Sequence, residues 1–233
     1  MVERSSREAK PEEEYSAFIK RTLKLNKPED WKFICSAMDL IEDTCSAIDH
    51  FLRFGLNGSS RYDEIGEKYL RLYGVLNSTY LQQEATYVIC KCCQVDQLKQ
   101  FKEAIESLEI RDVRHKLGAH SVDYISKHSQ ESLSFVPVQI LLSGMSCTYM
   151  NNNTFEQTTV NLQTLLEEHV RLMTKIIFST LKKMKKTLYK TDKLKLAEVE
   201  RYLEALSVLE SGGVVHWEYN EPKIVIRPFV EEI

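Results

Sequence analysis

The chain has 233 residues, 43% apolar and 28% charged, with a formal net charge of −3. That balance excludes wholesale disorder and a uniformly cationic nucleic-acid coat, so any nucleic-acid contact must come from a local basic surface. A chain of this length suits one elaborated domain or a domain with a small appendage, and buries a full core without disulfides or a structural metal.

The opening residues Met1-Val2-Glu3-Arg4 lack the apolar core of a secretory signal. No apolar stretch approaches the roughly 20 residues needed to cross a bilayer. Both features point to the cytosol, away from membranes, where the cysteines are expected as free thiols. Cys90, Cys92 and Cys93 are too closely spaced for a standard zinc site, which wants paired C-x2-C ligands. They read as small apolar residues on a helix, and no metal or other cofactor is expected.

Taken in chain order, residues 1–28 read as a polar N-terminal arm ending at Lys27-Pro28. Acidic Glu29-Asp30 then favours a helix start. A long helix is predicted from Glu29 to Phe54, with Trp31, Ile34, Met38, Ile41, Cys45, Ile48 and Leu52 on its buried side. Gly55, Asn57 and Gly58 break it. A second long helix is predicted from Tyr62 to Cys93, with Gly74 and Gln82-Gln83 as interruptions of its apolar pattern. A third runs from Val95 to Leu117, interrupted near Leu108, with Gly118 as a left-handed terminator. Residues 132–149 change to two short strands, or a strand and a bulged edge, around Pro137 and Gly144, ending at Asn151 to Asn153. Helices follow from Thr158 to Tyr189 and from Leu194 to Glu210. A hairpin over Val214 to Val230 turns at Asn220-Glu221-Pro222. The fold class is thus mainly α: an antiparallel helical bundle over 29–190 with a small inserted β element, then a C-terminal helix and β-hairpin over 191–233.

The chemistry-bearing segment is Ile110-Arg111-Asp112-Val113-Arg114-His115-Lys116-Leu117-Gly118-Ala119-His120-Ser121. It resembles the motif of the HEPN superfamily, helical bundles that include many prokaryotic toxins and defence ribonucleases. That motif is an Arg, four to six residues, then a His, with a polar residue directly after the Arg. Arg114 and His120 match with five residues between them, and His115 stands where Asn is usual. Composition alone yields about one such pair, so the surroundings carry the resemblance. Leu70 to Ala85 followed by Ile110 to Ser121 is similar to a group of uncharacterised bacterial HEPN-like proteins, with Ser121 in place of their Pro. The resemblance spans Trp31 to Tyr189.

The resemblance implies a metal-independent endoribonuclease that cleaves RNA by attack of its own 2′-hydroxyl, in a toxin or phage-defence setting. Arg114 and His120 would be the catalytic pair, with His115 and Arg111 supporting it or touching substrate. It further implies a homodimer lining one cleft with two motifs, and an antitoxin or defence-complex partner. The alternatives are a non-catalytic module binding RNA, a nucleotide or a protein, and a structural dimerisation subunit. The residue types suit the chemistry. Imidazole titrates near neutrality and can take or give the proton, while a guanidinium grips phosphate oxygens through parallel hydrogen bonds.

The spacing sets a condition. Six positions along a continuous α-helix splay two side chains by about 120°, so the chain must leave α geometry near Gly118. Each residue also has a plainer reading. Arg114 could pair with an acid on a neighbouring helix, and His120 could cap a carbonyl. Arg111 could extend a phosphate-binding face or be a solvated charge. The run Lys182, Lys183, Lys185, Lys186, Lys190, Lys193 and Lys195 reads first as a solvated helix face and second as a surface tracking RNA.

Overall fold

The structure, a computed structural model, describes residues 29–59, 64–119, 124–125, 132–187, 193–210, 214–218 and 221–225, with isolated positions 17, 25 and 27. Helix α1 spans Asp30–Phe54, α2 Ile65–Cys92, α3 Leu98–Glu106 and α4 Glu109–Arg114, which continues into a π turn over His115–Ala119. Strands β1 (Tyr124–Ile125), β2 (Ser132–Leu133), β3 (Phe135–Pro137), β4 (Ser146–Asn151) and β5 (Gln157–Asn161) follow, with a 3-10 turn at Gln139–Leu141. Helices α5 (Leu162–Thr187) and α6 (Lys193–Glu210) and the hairpin β6 (Val214–Glu218) and β7 (Glu221–Val225) complete the order. No helix among the described residues is long and apolar enough to cross a membrane. The polar arm assigned to residues 1–28 lies almost wholly outside the described residues.

The fold is mainly helical with a small antiparallel sheet, ordered β3-β4-β5. Helix α2 is its axis and packs against α1, α4 and α5. Helices α1 and α2 are antiparallel: Phe51 of α1 lies near Arg71, while Ile34 clusters with Cys92. The wholly antiparallel bundle expected from the sequence is corrected at one pair. Gln83 meets His169 and Cys90 meets Thr180, so α2 and α5 run parallel. The reason is topological, because α4 and the sheet carry the chain back to the end where α2 began. Helix α5 therefore restarts there, with Leu162 N–H donating to the Met145 carbonyl at 2.8 Å.

The buried stripe of α1 is Ile34, Ala37, Thr44, Ile48 and Phe51. Met38, expected inside, is 59% exposed, and Cys45 is exposed as well. Small Ala37 and Thr44 take the inner positions, which lets α2 approach closely, and the Thr44 hydroxyl donates to the Leu40 carbonyl of its own helix.

The helix expected from Thr158 begins instead at Leu162. β-Branched Thr158, Thr159 and Val160 belong to β5, which pairs with β4, and Thr148 and Thr159 share a hydroxyl–hydroxyl bond of 2.8 Å. Asn161 then caps α5, its Oδ1 accepting from the Gln163 and Thr164 backbone N–H groups at 2.9 and 3.2 Å.

The end of α1 is clamped to the corner before β4. Gly55 has φ +57°. The Leu56 N–H donates to the Gly144 carbonyl at 2.8 Å, and the Gly144 N–H donates to Asn57 Oδ1 at 2.8 Å. A Cβ on Gly55 would stand 2.5 Å from the Gly144 oxygen. Gly74, by contrast, is exposed mid-helix with nothing within 4 Å of an added Cβ.

Gly55→Ala is therefore expected to lower unfolding stability by about 2 kcal/mol or more, through a left-handed backbone and a direct clash. Gly74→Ala should raise it by about 0.5–1 kcal/mol. Urea titration at constant m-value measures both, and equal effects at the two sites would contradict the assignment.

Candidate functional site

The site starts from a helix too short to hold itself. In α4 the i, i+3 pair Ile110 and Val113 is buried in the main core cluster. The other i, i+3 pair, Arg111 and Arg114, is thereby delivered together to α2. Both guanidiniums lie over one ring there. Arg114 Cζ is 4.0 Å and Arg111 Cζ 4.9 Å from the Tyr80 ring centroid.

The two arginines differ in what satisfies them. Arg111 donates through Nη1 to Gln83 Oε1 and through Nη2 to Glu84 Oε1, each at 3.0 Å, and its side chain is only 15% exposed. It is therefore neither a solvated charge nor the free phosphate-binding extension considered from the sequence. Arg114 is half-buried, and among the described residues its only recorded partner is the Tyr80 face. Among the described residues its five N–H donors have no carboxylate, and the nearby acid Glu84 is committed to Arg111. Charge and hydrogen-bonding capacity are thus left open at one point, which is the requirement for holding an anion.

Directly after Arg114 the backbone widens into the π turn His115–Ala119. Gly118 lies inside that turn and is not among the positive-φ glycines, so the left-handed terminator expected there is corrected. The chain leaves α geometry here by insertion of one residue into the turn, which by itself does not bring position 120 back over Arg114. His115 opens the turn and is half-buried. His120 lies outside the described residues.

The turn is tied to the sheet through Lys116. Its Nζ is 2.7 Å from Asp112 Oδ2, and 5.3, 5.5 and 5.8 Å from the ring centroids of Phe135, Tyr149 and Tyr124. The Tyr124 hydroxyl donates to Asp112 Oδ1 at 2.8 Å. Burial alone would lower the Lys116 ammonium, but the hydrogen bond to Asp112 and the surrounding charges outweigh it, leaving it above its ordinary value. Burial, then the bond to Asp112, push the Tyr124 phenol up.

Behind Arg111 a chain of polar groups crosses the bundle. Because Arg can only donate, Gln83 must present Oε1 to it. The Gln83 amide nitrogen then faces His169 Nδ1 at 3.3 Å, so Nδ1 accepts. His169 Nε2 therefore carries the proton and donates to Gln82 Oε1 at 2.7 Å. Gln82 Nε2 passes the last donor to Cys45 Sγ at 3.1 Å. Gln82, Gln83 and His169 are all buried. Burial pushes His169 down to about 4, and the Gln83 donor facing Nδ1 leaves no acceptor for a second proton.

Of the residues singled out in the sequence, Arg114 and Arg111 meet on one ring and His115 adjoins them. Tyr80, Lys116, Gln83 and His169 were not singled out as parts of the site. The available signal was the polar set Thr79, Gln82, Gln83 and Thr86, spaced by three and four on an otherwise apolar helix face. The cysteine group stays a packing element: Cys90, Cys92 and Cys93 are buried, and burial pushes Cys93 up to about 12. Comparison with protein-family models, curated proteins and solved structures found no match.

His169 makes stability pH-dependent in a definite direction. Its folded value of about 4 lies below the unfolded value of about 6.5, so the unfolded chain binds more protons between them. Stability should be complete above about pH 6.5 and fall by about 3 kcal/mol down to pH 4 from this group alone. Denaturant titration across that range should show a shallower fall for His169→Gln, together with a lower stability at pH 7. An unchanged pH slope would refute the assignment.

Proposed function

We propose that the chain is a HEPN-like, metal-independent endoribonuclease acting in the cytosol, with Arg114 holding the scissile phosphate and His120 moving the proton. The observation that carries this reading is the Arg114 guanidinium itself. It is half-buried, seated on Tyr80 and, among the described residues, without a carboxylate, at the point where the α-helix gives way to the π turn. A structural arginine would be paired as Arg111 is.

In the reaction the substrate's 2′-oxygen bonds to phosphorus and loses its proton to an imidazole. The bond from phosphorus to the 5′-oxygen breaks, and that oxygen leaves with a proton. The products are a 2′,3′-cyclic phosphate and a 5′-hydroxyl. Arg114 neutralises charge building on the phosphate oxygens, the kind of preorganised stabilisation that contributes most to many enzymes. The imidazole supplies the proton step near neutral pH. A two-fold dimer would bring a second Arg114–His120 pair to the same cleft and provide both proton roles. His115, where Asn is usual, favours a second reading: a non-catalytic module that binds RNA, a nucleotide or a protein.

Arg114→Ala should lower RNA cleavage by about 100-fold or more, and His120→Ala by about 100- to 10,000-fold. Tyr80→Leu removes the ring that seats Arg114 and should cost about 3- to 30-fold. Cleavage of a labelled RNA, with end-group analysis for the cyclic phosphate, measures all three. Parent-like rates in either Arg114→Ala or His120→Ala would sink the catalytic reading. Tight RNA binding without product on long incubation would select the binding module.

A further inference from the structure

A second cationic feature lies at the far end of the bundle. Between Glu168 and Asp192 the sequence holds no carboxylate, while Arg171, Lys175, Lys182, Lys183, Lys185 and Lys186 all fall on α5. Tertiary structure sorts these lysines by face. Lys185 turns to α6 and pairs with Glu200 at 2.6 Å. Ser179, Lys182, Lys183 and Lys186, at offsets of three, four and seven, share another face. They line a groove of about 390 Å³, bounded opposite by Val95, Asp96 and Gln97 of the α2–α3 connection.

The groove holds three lysines against one carboxylate, leaving two positive charges on a protein of net charge −3. Its one ion pair, Lys183 to Asp96 at 3.1 Å, leaves Asp96 84% exposed. Such a pair is worth no more than about 1 kcal/mol and exchanges readily for another anion. Lys182 and Lys186 are exposed and have no carboxylate partner among the described residues. Lys182 Nζ sits 3.8 Å from the centroid of the Phe178 ring, which flanks the groove without lining it.

The geometry points to this groove as a docking track for the sugar–phosphate backbone of single-stranded RNA. Lys182 and Lys186 stand about 6 Å apart along the helix axis, so they meet successive charges of a polyanion and not one isolated phosphate. A positively charged groove that tracks the backbone is the usual means of holding a single strand without sequence preference. The groove and Arg114 lie at different levels of the same bundle. Lys182 stands 13 residues beyond His169, which meets Gln83 beside Arg111, so the groove begins about 20 Å along the bundle from the two arginines. The choice of RNA rests on the reading of Arg114 given above.

The test is binding of a fluorescent oligouridylate of about 12 nucleotides with 2′-O-methyl sugars, which 2′-hydroxyl attack cannot cleave. Lys182→Gln with Lys186→Gln removes two charges from the groove. It should weaken binding about 10-fold at low salt, and the log–log salt dependence should become shallower by about 1.4. Arg53→Glu also changes the charge by −2, at the opposite end of α1 where Arg53 pairs with Asp49. It should leave affinity within about 2-fold. Unchanged affinity and slope in the double variant, an equal loss in Arg53→Glu, or no binding by the parent each overturn the proposal. If the double variant loses affinity while Arg114→Ala still cleaves like the parent, the groove stands and the catalytic reading falls. If Arg114→Ala loses cleavage while the double variant binds like the parent, the reverse holds.

Discussion

A guanidinium that can only donate sets the direction of the polar core. Arg111 points its N–H groups at Gln83, and every later bond takes its sense from that one, through His169 and Gln82 to Cys45. Each group uses a donor on one side and an acceptor on the other, so a neutral imidazole with its proton on Nε2 is the only form that fits. Helices α1, α2, α4 and α5 each contribute a member. A slip of any one would leave buried polar atoms unsatisfied at about 1–3 kcal/mol apiece.

This seam also divides the apolar interior. On one side lies a large cluster built from Leu72, Leu76, Ile110, Val113, Phe135 and Leu166. On the other is a smaller one of Cys90, Val95, Phe101, Met173 and Ile176. Apolar contacts tolerate sliding better than hydrogen bonds do, so the two clusters supply most of the burial energy and the seam supplies the register. Helix α2 serves both clusters and the seam, which is why its pattern reads as interrupted and not as a simple amphipathic stripe.

The same arrangement separates two arginines one helical turn apart. Arg111 is spent on the seam and on Glu84, and Arg114 is left with an aromatic face. Tyr80 couples them, so the conformation of the open guanidinium depends on the closed one. The Lys116 cluster fixes the other side by holding the π turn to Tyr124, Phe135 and Tyr149. The site is therefore positioned by two partly buried ion pairs, Arg111 with Glu84 before Arg114 and Lys116 with Asp112 after it.

Much of the fold was legible in the chain itself. Helices α1, α2, α5 and α6, the break near Leu108 and a C-terminal hairpin follow from three- and four-residue periodicity and from Gly, Pro and Asn punctuation, all local properties, although Glu221 and Pro222, expected in the hairpin's turn, belong to β7. The segment from Arg111 to His120 stood out for the same reason, since its charged and titratable groups are neighbours in sequence. Strand β5 was missed because Thr158 to Asn161 continues an acceptable helical pattern and becomes a strand only beside β4. The parallel course of α2 and α5 and the pairing of Lys185 with α6 were likewise invisible. So was the commitment of Arg111 to Gln83 and Glu84, residues 28 and 27 positions away. Sequence alone determined which groups exist and which helical face each occupies, because backbone geometry is local. Only tertiary structure decided which charges are neutralised, because the partner that neutralises a charge comes from another helix.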